Sequence, residues 1–141
     1  MKKTVQVRVT HQYKVPPETV FDAFLDDKRA GKFLFATPTG EMVRVEIDPR
    51  VGGKFRITDR RPGQGDIDHV GTYLEIDRPR RLVFSFGDDL AFDATTVTVE
   101  IVATGDGCEL TLTHDGVGEE WAGQTNEGWT AILASLGGLL S

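Results

Sequence analysis

A single cysteine, three histidines and a minority of basic side chains set the first limits on this 141-residue sequence. One cysteine, Cys108, cannot close an internal disulfide. The imidazoles His11, His69 and His114 fall in neither a His-Glu-x-x-His nor a paired Cys/His spacing, so no metal site is expected. Glycines are numerous, yet neither Gly-x-Gly-x-x-Gly nor Gly-x-x-x-x-Gly-Lys-Ser/Thr occurs, and no nucleotide or other cofactor is indicated. Ser85, Ser135 and Ser141 lie outside any Gly-x-Ser-x-Gly context, and Cys108 follows a turn with no adjacent base. No catalytic residue is assigned on motif grounds. Sixteen Lys and Arg against 22 Asp and Glu leave a net charge of −6. Such a surface repels a phosphate backbone, so nucleic acid is not an expected partner. Apolar runs of about eighteen residues are absent, and Met1-Lys2-Lys3 leads into Thr4-Val5-Gln6-Val7 rather than an apolar signal core. The reading is a cytoplasmic protein without membrane insertion.

What the sequence does contain is alternation. Val5 to Tyr13 alternates valine with polar residues, the period-two mark of a strand with one buried face. Pro16-Pro17 breaks it, and Pro17 suits a first helical turn, where a missing N–H is no loss. In the helix that follows, Val20 with Phe24 and Phe21 with Leu25 share a face, and a second short helix covers about Lys28 to Phe33. Pro38-Thr39-Gly40 then ends the helical segment. Strict alternation resumes from Met42 to Asp48, with Val43, Val45 and Ile47 on one side. Pro49 to Gly53 turns the chain into a strand carrying Phe55 and Ile57, and Pro62 to Asp66 reads as a polar loop longer than a minimal hairpin. Further strands run from Val70 to Ile76, through Leu82, Phe84 and Phe86 up to Gly87-Asp88-Asp89, through Val97, Val99 and Ile101, and through Leu110, Leu112 and His114. From there the period changes to 3.6: Trp129, Ile132, Leu133, Leu136 and Leu140 form the apolar stripe of a C-terminal helix. The order is strand, two helices, six strands, helix, in one domain over residues 1–141. Short connections between consecutive strands imply an antiparallel sheet, one face of which the long helix covers.

Several segments carry a family resemblance: Pro17-Glu18-Thr19-Val20-Phe21-Asp22-Ala23-Phe24 after the first strand, Arg50-Val51-Gly52-Gly53-Lys54-Phe55-Arg56, Gly71-Thr72-Tyr73-Leu74-Glu75-Ile76, Pro79-Arg80-Arg81-Leu82-Val83-Phe84-Ser85-Phe86, Leu110-Thr111-Leu112-Thr113-His114 and Gly128-Trp129. In this order, over nearly the whole chain, they resemble the SRPBCC superfamily and within it the group of activator of heat-shock protein 90 ATPase homologue-like proteins. The resemblance implies an α+β helix-grip fold. In that fold a curved antiparallel sheet of six to seven strands wraps a long C-terminal helix, with two short helices after strand one and a mainly apolar cavity between sheet and helix. Where members often carry a tryptophan near the cavity entrance, this chain has Lys32-Phe33-Leu34-Phe35-Ala36-Thr37-Pro38. The eukaryotic activator binds its chaperone through an additional N-terminal domain that these residues do not include, so the resemblance is a weak ground for a chaperone partner.

Inward positions that could line the cavity are Val43, Val45, Phe55, Ile57, Phe84, Phe86, Val97, Val99, Leu110, Leu112, Trp129, Leu133 and Leu136. Each is equally what plain core packing requires. His114 alternates with Leu112 and Leu110, which turns it inward, either as a polar anchor or general base for a ligand or as a structural histidine bonded to a nearby carbonyl. His69, near Asp66 and Asp68, reads as a solvated loop-edge imidazole, with orientation by a carboxylate as the other choice. Lys54, Arg56, Arg60 and Arg61, interrupted by Asp59 and Asp66, read as a solvated face. The functional expectation is binding of an apolar or amphipathic small molecule in an internal cavity, for sequestration, transport or sensing. A cyclase- or hydrolase-like enzyme using the same cavity, and a protein that interacts with a chaperone or regulator, are the alternatives. Dimerisation through a sheet edge or the helix is left open.

Overall fold

The computed structural model describes residues 3–34, 41–63, 65–87 and 95–140. The turn read at Pro38-Thr39-Gly40, the segment from Phe35 to Pro38 and the strand end at Asp88-Asp89 lie outside them. The elements are β1 (Thr4–Tyr13), α1 (Pro17–Leu25), α2 (Asp27–Phe33), β2 (Glu41–Ile47), β3 (Lys54–Arg61), β4 (Gly65–Asp77), β5 (Arg81–Phe86), β6 (Thr95–Ala103), β7 (Cys108–Gly118) and α3 (Ala122–Leu140), with a 3-10 turn at Glu119–Trp121 leading into α3. One antiparallel sheet has the order β1-β7-β6-β5-β4-β3-β2. Among the described strands only the β1–β7 pair joins strands distant in sequence, and it sets the first strand beside the last.

The helix boundaries follow local chemistry. Pro16 and Pro17 begin α1, and Asp26 closes it while its carboxylate accepts the Lys28 N–H at 2.9 Å to open α2. Val20, Phe21 and Phe24 are buried, and Phe24 meets Phe33 of α2 edge to face with ring centroids 5.3 Å apart. Register shifts at Val5/Val7 in β1, Met42/Arg44 in β2 and Tyr73/Glu75 in β4 bend the sheet around the helix. At Gly71 the neighbouring strands leave no room for a side chain. A Cβ there would run into the Ser85 carbonyl oxygen and the Phe55 ring.

Two expectations are corrected here. Val43 is exposed and does not face the helix: the bulge at Met42/Arg44 shifts the alternation by one residue, so Met42, Val45 and Ile47 pack on the core instead. The polar loop read over Pro62 to Asp66 is longer than a minimal hairpin, as expected, but it ends earlier: Gly65 and Asp66 already belong to a strand and pair with Arg61 and Arg60. Gly63 and Gly65 have positive φ, 76° and 81°, and β4 begins at Gly65, paired rung by rung with β3. Asp66 and Asp68, which look like loop residues, sit opposite Arg60 and Thr58 on the outer face, where Arg60 Nε meets Asp66 at 2.8 Å and Arg56 meets Asp68 at 3.3 Å.

On the concave face, Ile57, Val97, Leu110, Leu112, Leu133 and Leu136 have no surface reachable by water, and Phe55, Phe84 and Val99 are almost as deep. They form one cluster with α1 and α2. Water-excluding contact at these positions means that the centre of the grip is packed rather than hollow. Tyr13 Oη donates to the Leu133 carbonyl at 2.9 Å and ties β1 to the middle of α3.

Candidate functional site

The concave face changes character at the end nearest the first turns of α3. There the alternation that buries Val97 and Val99 brings Thr95 inward, that of Leu110 and Leu112 brings His114 inward, and that of Phe55 and Ile57 brings Asp59 inward. His69, opposite Ile57, and Phe86, opposite Thr95, complete the row. Against it α3 lays Thr125, Gly128, Trp129 and Ile132. His69, Phe86, His114 and these four helix residues line an open cleft of about 180 Å³.

Phe86 is the middle of this wall. Its ring centroid lies 6.1 Å from His69, 5.6 Å from His114 and 6.5 Å from Trp129, with edge-to-face geometry toward the latter two. Of the residues read from sequence as cavity-lining, Phe86, His114 and Trp129 are brought together at the cleft. Val45 is half-buried between α2 and β3, and Phe55, Ile57, Phe84, Val99, Leu112 and Leu133 lie in the packed centre.

His114 sits in a chain of hydrogen bonds whose direction is fixed. Trp129 Nε1, which can only donate, donates to His114 Nδ1 at 3.0 Å. Nδ1 therefore carries the lone pair and Nε2 the proton, which is donated to Thr95 Oγ1 at 2.8 Å. Thr95 passes its own proton to the Phe86 carbonyl, also at 2.8 Å. Every polar atom of the ring is engaged in its neutral form. Burial pushes the imidazole down to about 4, with the nearby Asp115 opposing weakly. Through the indole N–H that its only basic nitrogen accepts, His114 ties α3 to the sheet.

His69 is not solvated. It lies within β4, nearly buried, and its Nδ1 stands 3.1 Å from the Ile57 carbonyl oxygen and 3.7 Å from Asp59 Oδ1. The carboxylate beside it is thus Asp59 from β3, not Asp66 or Asp68. Burial again lowers the imidazole below its ordinary value, and the Ile57 carbonyl and Asp59 partly offset this. Asp59 is 1% exposed; Arg61 Nε meets its Oδ2 at 2.7 Å, while its Oδ1 has no hydrogen-bond partner. The basic cluster read as one solvated face is therefore divided. Arg56 and Arg60 point outward, and Arg61 turns in to the buried acid.

The residues that sequence reasoning missed are Asp59, Thr95, Thr125, Gly128 and Ile132. The period-two signal for Asp59 was present, two places after Ile57, but its charge and its arginine neighbours suggested solvent. Among the described residues no group of three His, Cys, Asp or Glu side chains is placed to hold a metal ion. Nor is any helix there long and apolar enough to cross a membrane.

Comparison with known proteins agrees with this architecture. A search of curated proteins found no match. Among solved structures, a Chromobacterium violaceum protein superposes with a TM-score of 0.85 at 25% identity, covering 95% of both chains. A Staphylococcus aureus protein of unknown function gives 0.87 at 16% identity, over 96% of this chain and 92% of its own. The AHSA1-like protein from Aeromonas hydrophila gives 0.82 at 22% identity, over 94% and 90%. Residues 14–141 match the family model for Activator of Hsp90 ATPase homolog 1-like protein. With that match over most of its length and a curved seven-stranded sheet closed on a C-terminal helix, the chain belongs to the Activator of Hsp90 ATPase homolog 1-like family of the SRPBCC superfamily.

Proposed function

We propose that this protein binds a small apolar or amphipathic molecule, without covalent chemistry, in the cleft between β4, β5, β7 and α3. The observation that carries the reading is the cleft itself: a concave wall of Phe86, Trp129 and Ile132 with two imidazoles set into it, at one end of an otherwise packed core. Concave apolar surfaces with a few fixed polar groups are the usual form of small-molecule sites. The SRPBCC fold, that of a ligand-binding domain, supports it by analogy. Size narrows the ligand. An apolar cavity of roughly 150 Å³ accepts one benzene ring, so about 180 Å³ suits a single ring with a small substituent or a short branched chain.

Native mass spectrometry of gently purified protein, compared with the same sample under denaturing conditions, tests the reading. An extra mass that leaves on denaturation is the expected result, and its absence from Gly128→Leu would locate it. Gly128 lines the cleft with open space around its Cβ direction, so leucine there fills the cleft without a clash. Leucine is also the better helix former by roughly 0.5–1 kcal/mol, so the variant should fold at least as well. Retention of the same ligand by Gly128→Leu would remove the cleft as the site.

A further inference from the structure

We propose that this chain forms a two-fold symmetric dimer in which β2 of one copy pairs antiparallel with β2 of a second copy about Val45, so that Arg44 of each faces Glu46 of the other. This interface involves no residue that lines the cleft. β2 is the last strand of the sheet, and among the described residues no backbone group hydrogen-bonds to its outer edge. An edge of this kind offers its N–H and C=O groups to another strand.

Backbone phase allows the pairing. The Asp48 N–H donates to the Lys54 carbonyl at 3.0 Å, where the chain turns from β2 into β3. From Ile47 back to Arg44 the two strands pair in unbroken register, so the backbone groups of Glu46 and Arg44 turn toward β3 and those of Ile47 and Val45 turn outward. A two-fold axis at Val45 therefore sets an outward-turned residue opposite its own copy, and the two valines exchange both hydrogen bonds. The same axis places Val43, exposed beside the bulge, opposite Ile47 of the second copy and takes an apolar side chain partly out of water.

Side-chain charge then selects the register. Arg44 and Glu46 are both more than half exposed on the outer face, with Arg44 Nε 3.3 Å from Glu46 Oε1. About Val45, each arginine meets a glutamate of the other copy on both sides of the axis. The next strand continues the alternation of sign, since Arg56 lies beside Glu46, and Thr58, bonded to Asp68, lies beside Arg44. The neighbouring registers lose this match: an axis at Glu46 opposes two glutamates, and an axis at Arg44 opposes two arginines. β1, the other edge, has Arg8 among Gln6, Thr10 and Gln12 on its outer side, so pairing with itself brings that charge no partner. A second copy is thus the occupant that β2 matches. Pairing of β2 with β2 closes on itself, whereas pairing of β1 with β2 would go on adding copies.

Analytical ultracentrifugation from about 10 μM to about 1 mM tests this, because one short edge strand buries less than the roughly 1,200 Å² of a standard interface. The unaltered protein should pass reversibly from monomer to dimer across the range. Glu46→Arg, which brings arginine against arginine, should weaken the dimer by roughly ten-fold. Arg44→Glu combined with Glu46→Arg exchanges the two charges and restores opposite pairs in this register alone. The double variant should return to within about two-fold of the parent. Both side chains are exposed, and circular dichroism should show each variant folded. A monomer throughout the range would overturn the dimer, as would a series of species larger than two copies. Dimerisation unchanged by Glu46→Arg, or a double variant no better than the single one, would overturn the pairing about Val45.

Discussion

Acidification from pH 7 to pH 5 should cost this protein about 2 kcal/mol of folding stability through His114 alone, rising to about 3 kcal/mol at pH 4. The perturbation is protonation of one side chain. In the folded protein His114 resists it, at about 4, because the ring is buried and its one basic nitrogen already accepts the Trp129 indole proton. In the unfolded chain the same group titrates at its ordinary value of about 6.5. Between those values the unfolded state binds more protons, so the folded state loses ground as the pH falls, and the loss is complete once the pH is below the folded value. His69, also lowered by burial, adds to the effect in the same direction. Asp22, held down chiefly by its hydrogen bonds to Arg78, weakens the fold only near and below the carboxylate range. Above pH 5 the histidines therefore dominate. Urea unfolding followed by circular dichroism at pH 7, 6 and 5 reads the slope. His114→Asn keeps an acceptor near the Nδ1 position for Trp129 and removes the titration. It should be less stable at pH 7 and lose most of the slope. Stability that stays flat or rises on acidification, or an unchanged slope in His114→Asn, would refute the assigned tautomer and hydrogen-bond direction.

Gly71→Ala should destabilise the fold by several kcal/mol, at the severe end for single substitutions, because its methyl group meets both the Ser85 carbonyl and the Phe55 ring; thermal unfolding measures it. Tyr13→Phe removes the bond from Tyr13 Oη to the Leu133 carbonyl and should cost about 1 kcal/mol in urea unfolding. The loss is modest because that carbonyl keeps its place in the helix.

How far the sequence reaches is clearest in neighbouring residues of one strand. In β3 the alternation of Phe55 and Ile57 announced the buried face correctly, yet the next member of the series, Asp59, looked like part of a charged surface. Its burial depends on Arg61, two places on in the same strand, turning inward with it, and on His69 arriving from β4, which nothing local to β3 announces. In β2 the same alternation misled by one place, since the bulge that exposes Val43 is a property of its pairing with β3. Family resemblance conveyed the topology but not the filling of the core.

The sequence by itself determined the order of elements, the antiparallel sheet and the buried stripe of α3, because periodicity is written into each segment and survives without partners. Tertiary structure alone decided the site. A tautomer, a buried charge and a cleft lined by His69, Phe86, His114 and Trp129 are properties of side chains from different elements meeting across space. Those meetings depend on bulges, on Gly71 and on the seating of α3 against β1 and β7.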